Sequence, residues 1–209
     1  MRKLLLGDWG PVVRDPLDLL RIAFLVGIVV FAAQGDAKGL GNLLIATVAV
    51  FAARFANLPR PYDLGLIVAM ALTGWGEALG LYDAWRPYDD VVHFCVPMLT
   101  APVAYVCFAR IEVLPDLRDE TDTRRNAGIF LVTFALGLAI GALWEIFEYG
   151  SDELLGSNLQ LGNADTVGDL MRDALGSLAG AALLVLWSTR GWASVRRIPG
   201  ENRYEDRDS

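Results

Sequence analysis

Residues 127–148 read Ala127-Gly-Ile-Phe-Leu-Val-Thr-Phe-Ala-Leu-Gly-Leu-Ala-Ile-Gly-Ala-Leu-Trp-Glu145-Ile-Phe-Glu148. No charge interrupts the run before Glu145. A bilayer core about 30 Å thick is crossed by roughly 20 apolar helical residues, so this stretch is long and apolar enough to span it. Working outward, comparable runs lie at 19–34, 40–57, 63–82, 91–110 and 168–189, each bounded by charge, Gly or Pro as at helix ends in water. The chain has 209 residues and is 54% hydrophobic, with a mean hydropathy of +0.39. That length has room for about six crossings with short loops and no separate soluble domain. The expected fold is all-α, a polytopic transmembrane bundle of six helices. It divides into a cytoplasmic N-terminal segment 1–18, a transmembrane domain 19–189 and a charged, disordered cytoplasmic tail 190–209.

The basic residues set an orientation. Alternate sides of the six segments hold fifteen and three Lys or Arg. Lys38, Arg86 and Arg172 are the three on the poorer side. Basic residues are retained in the cytoplasm, which predicts a plasma-membrane protein with both termini inside. Trp75, Trp85 and Trp144 then fall near the outer interface and Trp187 and Trp192 near the inner one. Arg21, inside the first run, is expected to snorkel to the headgroups. No convincing cleavage site follows that run, so it reads as a retained helix rather than a signal peptide. Cys95 and Cys107, twelve residues apart on one helix, would be about 18 Å apart and cannot pair with each other. No basic patch with interleaved aromatics points to nucleic acid; the expected partners are membrane lipids.

The outer side carries twelve acids against those three basic residues, or about −9. Three segments bring acids or histidine to one depth. In the fourth, Asp89 and the sole histidine, His93, lie at i and i+4 on one face. An Asp at that place is equally an ordinary N-cap. In the fifth, Gly137, Gly141, Glu145, Glu148 and Asp152 form one stripe, glycine inward and acid outward. Glycine lets a neighbouring helix approach, and acids facing lipid would cost about 2.5–3.5 kcal/mol at a helix centre, so this stripe is expected to face the bundle. In the sixth, Asp165, Asp169, Asp173, Gly176 and Gly180 repeat the arrangement. Thr166 with Asp169 fits a capping box, but Asp173 lies a turn deeper, where capping has no use for it.

Crowded carboxylates need a cation, a shared proton or an arginine such as Arg86 or Arg172. Oxygen ligands with one imidazole suit Mg²⁺, Mn²⁺, Ca²⁺ or Zn²⁺. The expected metal ligands are Asp89, His93, Glu145, Asp169 and Asp173, and the expected catalytic groups are Glu145, Glu148 and Asp173. No nucleophile elbow or glycine-rich phosphate loop competes with them.

At Tyr88-Asp89-Asp90-Val91-Val92-His93-Phe94, Trp144-Glu145-Ile146-Phe147-Glu148-Tyr149 and Asp165-Thr166-Val167-Gly168-Asp169-Leu170, with Asp173 and Gly176 following, the chain resembles the YjdF-like inner-membrane proteins. The likeness runs from about the third segment to the sixth. The order of its parts is also distantly similar to the VanZ-like membrane proteins, which are associated with glycopeptide resistance. This resemblance implies the topology and the choice of residues and assigns no catalytic role. The leading expectation is a divalent-cation site at the outer interface, acting on a substrate with a lipid tail and a phosphate head. A proton- or cation-coupled transporter and a non-catalytic scaffold are the alternatives. Pro97 and Pro102 are expected to kink the fourth helix.

Overall fold

The computed structural model describes residues 16–56, 58–117, 122–156, 160 and 162–190. The expected disordered tail, most of the N-terminal segment and Trp192 lie outside them. Helix α1 spans Pro16–Gln34, α2 spans Ala37–Phe55 and α3 spans Arg60–Met70. The α3 segment continues through a π-helical turn, Ala71–Trp75, into a last turn, Gly76–Ala78. A short α4, Leu81–Ala84, precedes α5, Tyr88–Arg110. Helices α6, Thr123–Leu155, and α7, Asn163–Thr189, complete the bundle.

The fold is all-helical. Helices α1, α5, α6 and α7 are long and apolar enough to cross a membrane. The apolar part of α2, Gly39–Arg54, is shorter, and α3 is interrupted by its π turn. Crossing by α2 and α3 therefore rests on the charge alternation rather than on length.

Local chemistry sets the joints. Gly35 adopts φ 71° between α1 and α2, a conformation that disfavours side chains. Asp36 then accepts from the Gly39 amide at 3.0 Å as the N-cap of α2. At the π turn, where the helical ladder is shifted, the Tyr88 hydroxyl donates to the Leu72 carbonyl at 2.7 Å. This ties the end of the α3 segment to the start of α5. Helix α5 runs on through Pro97 and Pro102.

Two apolar clusters hold the bundle. One joins α1, α2 and α3 through Phe24, Phe31, Leu43, Val50 and Ile67. Trp75 packs edge-on against Phe24 and Phe31, so it serves this cluster as well as its expected place near the interface. The other joins α3, α5, α6 and α7 through Leu66, Val103, Val106, Ile129 and Leu184.

Arg21 does not snorkel. It is 1% exposed and pairs with Asp18, at 3.0 Å, and with Asp63 of α3, while its Nε donates to the Val50 carbonyl at 3.0 Å. Arg54 completes the set by donating to Asp18 at 3.0 Å. Two arginines and two aspartates thus pair inside the bundle, where removing one partner would leave a buried charge uncompensated.

Candidate functional site

The site forms where α5, α6 and α7 cross most closely. A Cβ at Gly176 would overlap the Phe94 carbonyl oxygen, and one at Gly180 would meet the Met98 carbonyl. Cβ atoms at Gly137 and Gly141 would strike Ser177 and Asp173. The glycine stripes are therefore the seams along which the backbones touch, as their spacing predicts. One turn farther out, the same faces carry His93, Glu145, Asp169 and Asp173.

These four side chains are all buried: His93 is 4% exposed, Glu145 5%, Asp169 3% and Asp173 1%. His93 Nδ1 lies 3.2 Å from Asp173 Oδ1. A carboxylate only accepts, so beside an ionised Asp173 it is the Nδ1–H of His93 that donates. Nε2 lies 3.6 Å from Asp89 Oδ1 and 3.7 Å from Glu145 Oε1. Those distances are too long for hydrogen bonds. Ligand atoms about 2.1 Å from one ion would sit roughly 3.0–3.4 Å apart, only a few tenths of an ångström closer. Ligand atoms of Asp89, His93 and Asp169 lie within 4.8 Å of one another, and so do those of His93, Glu145 and Asp173. The histidine shared by both groups is the centre of the site.

Two oxygens stand out. Glu145 Oε1 and Asp173 Oδ2 are buried and, among the described residues, have no hydrogen-bond partner. A buried acceptor left unmade costs about 1–3 kcal/mol, and more when charged.

The five expected ligands fall in two groups of three that share His93, and Glu148 is in neither. It lines an outer vestibule of about 750 Å³. Six acids face that space: Glu77, Asp83, Asp89, Asp90, Glu148 and Asp165. Arg86 and Arg172 line it too. Arg172 is committed, donating to Asp90 at 2.8 Å and to Asp169 at 3.2 Å. Arg86 is exposed.

Two capping readings of the acids fail. The N-cap of α5 is Pro87, so Asp89 is a first-turn acid rather than the cap. Helix α7 begins at Asn163 with Gly162 as N-cap. Thr166 is therefore already helical, and Asp169 is not part of a capping box.

Sequence reasoning missed Gln160. Its side-chain amide donates to the Glu145 carbonyl at 3.2 Å and to Glu145 Oε2 at 3.4 Å, and its backbone N–H donates to Asp152 at 2.9 Å. A glutamine in a loop carries no spacing signal that would have marked it.

The description "Predicted membrane protein (DUF2238)" belongs to a family whose model matches residues 18–190. The chain belongs to this family. The match takes in every residue of the site. A Thermotoga maritima protein carrying the name "Uncharacterized protein" is 31% identical over 102 residues, 48% of this chain and 49% of that relative. The chain thus spans about half the length of the relative it matches. No solved structure matches. A membrane location follows from the family and from the apolar helices together.

Proposed function

We propose that this DUF2238 protein binds a divalent cation at the His93 site and uses it on a lipid-linked phosphate at the outer face of the plasma membrane. The observation that carries the reading is the pair of buried oxygens without a hydrogen-bond partner among the described residues, Glu145 Oε1 and Asp173 Oδ2, beside the His93 ring. A cation offsets their burial directly. Asp89, His93, Glu145 and Asp169 are the proposed ligands. Asp173 holds the imidazole from its Nδ1 side, as carboxylates do for metal-bound histidines. This donor set suits Mg²⁺, Mn²⁺, Ca²⁺ or Zn²⁺.

In the proposed hydrolysis an ion held by Asp89, His93, Glu145 and Asp169 would supply positive charge for phosphate oxygens that the acidic vestibule otherwise repels. A water gives its proton to Glu148, a vestibule carboxylate outside the ligand set. The water oxygen bonds to phosphorus, the bond from phosphorus to the leaving oxygen breaks, and the proton passes to that oxygen. The fifteen-to-three division of basic residues supports cytoplasmic termini and an outward-facing site. The likeness to YjdF-like proteins, and the more distant one to VanZ-like proteins, belongs to the same reading. Farther along α5, past Thr100, lies the packed cluster of Leu66, Val103 and Val106. It favours this reading over a transport pathway, which needs a polar route to the other face.

The test is elemental metal content of the detergent-purified protein beside a His93→Ala, Asp173→Asn double variant. About one divalent ion per chain, lost in a variant that still folds, is expected. No metal in either protein after reloading sinks the metal-enzyme reading. A variant that loses only thermal stability points to a scaffold.

A further inference from the structure

A second chamber lies directly beneath the vestibule. Its volume is about 320 Å³, at the small end of ligand pockets. The two spaces share Asn42, Thr73 and Trp144 as walls, and His93 and Asp173 line the lower one. The rest of the lower lining is mainly apolar, with Ile45, Val96, Pro97, Ile140 and Leu143 among it. Its two threonines are already engaged. Thr100 donates to the Val96 carbonyl at 2.7 Å, and Thr73 lies 3.3 Å from the Met70 carbonyl. The polar chemistry is thus gathered at the top, at His93 and Asp173, and the body of the chamber is hydrocarbon-like.

The chamber has an open side. Helix α6 packs on α5 and α7, and α2 packs on α1 and the α3 segment, but α2 and α6 scarcely touch among the described residues. Both line the chamber. Ile45 of α2 and Leu143 of α6 stand at this gap, 55% and 64% exposed. In a membrane this side faces lipid chains, because both helices present apolar residues there.

Resting on the lipid-phosphate reading, we infer that one hydrocarbon chain of the substrate occupies this chamber and enters sideways from the outer leaflet between α2 and α6. The head then lies in the vestibule above, against His93. One chain and not two is the occupant, since the space equals roughly ten water volumes at about 30 Å³ each. The depth agrees: from His93 to Thr100 is seven residues of α5, about 10 Å. A chain leaving lipid gains little hydrophobic energy, since lipid tails are as apolar as the chamber. The chamber therefore positions the phosphate, and the head supplies the binding.

The experiment uses the full chain in lipid nanodiscs with dodecyl phosphate bearing a mid-chain diazirine. Photolabelled residues are mapped by mass spectrometry, and metal content is read on the same samples. Saturable labelling at Val96–Thr100 and Ile140–Trp144, competed by unlabelled dodecyl phosphate, is expected. Ile45→Trp and Leu143→Trp, which plug the mouth from exposed positions, should cut that labelling at least several-fold. Val29→Trp, on the 68% exposed face of α1, should leave it unchanged. Labelling confined to lipid-facing positions, or insensitive to competitor, overturns the inference. Bound metal without chamber labelling overturns the chain site alone. Saturable chamber labelling without metal upholds the chain site and removes the metal reading. Equal competition by dodecanol upholds the chain site and removes the phosphate.

Discussion

Replacing Gly176 by alanine adds one methyl group where no room exists. The obstructing atom is the Phe94 carbonyl oxygen, part of the α5 backbone. A side chain could rotate away; a carbonyl in a helical ladder cannot, so α7 must move off α5. Overpacking of this kind costs about 1–3 kcal/mol. Asp173 lies three residues earlier on the same face, and its contact with His93 is 3.2 Å. A few tenths of an ångström of separation takes that contact out of hydrogen-bond range. Loss of a carboxylate that orients a metal-bound histidine weakens metal binding about 10–100-fold. Gly176→Ala should therefore lower the thermal midpoint and weaken Mn²⁺ binding together. Tryptophan fluorescence in detergent and titration calorimetry measure the two. Gly128→Ala is the control, because nothing lies near a Cβ there. It should be neutral or stabilise by up to roughly 1 kcal/mol through helix propensity. If Gly176→Ala is as stable as the parent and binds Mn²⁺ equally, glycine contact does not set the site's geometry.

Asp173→Asn keeps the shape of the side chain but removes its charge. It should weaken Mn²⁺ binding about 10–100-fold in a protein whose circular dichroism is unchanged, and unchanged affinity would deny Asp173 its orienting part. Glu148→Gln should retain the metal and lower phosphate release from a lipid phosphate about 10²–10⁴-fold; equal losses of metal and activity would instead make it a ligand. Chelation with EDTA should lower the apparent stability by about 2.7 kcal/mol relative to protein held at a hundred times the metal dissociation constant, and a melting curve indifferent to chelator and Mn²⁺ would contradict occupancy. Asp63→Asn leaves Arg21 buried without its α3 partner and should cost about 3–5 kcal/mol. The double variant Arg21→Met, Asp63→Leu should recover most of that, because Asp18 and Arg54 still pair. Neither change should alter metal content, since the arginine network and the His93 site share no residue.

Much of the bundle was legible because its signals are local. The apolar run at 127–148 and its bounding charges sit inside α6, and the four-residue spacing of Gly137, Gly141 and Glu145 becomes the seam against α7. What the sequence could not express is contact between distant positions. Arg21 looks like an interfacial arginine because its partner, Asp63, is 42 residues away on α3. The cap assigned to Thr166 and Asp169 failed for a related reason. Helix α7 starts at Asn163, ahead of the apolar run at 168–189, so Thr166 lies inside its first turns rather than at its cap. The π turn at Ala71–Trp75 has no sequence mark of its own, and its carbonyl partner Tyr88 belongs to the next long helix.

The site and the seams depend on one another. Helices in lipid gain no hydrophobic energy by associating, so close contact must come from shape and polar pairing. Glycine supplies the shape at Gly176 and Gly180. The approach it allows is also what crowds Glu145, Asp169 and Asp173 around one histidine, an arrangement that drives the helices apart when all three are ionised and uncompensated. Arg172 relieves Asp169 from the rim, at 3.2 Å. Its ion pairs, with Asp90 and Asp169, leave out Glu145 Oε1 and Asp173 Oδ2, which are buried without a hydrogen-bond partner among the described residues. The other half of the bundle meets the same problem by setting two arginines against two aspartates among the described residues. That contrast separates the two clusters physically: the acids at Arg21 are matched by arginines, whereas among the described residues the acids at His93 outnumber the cations beside them.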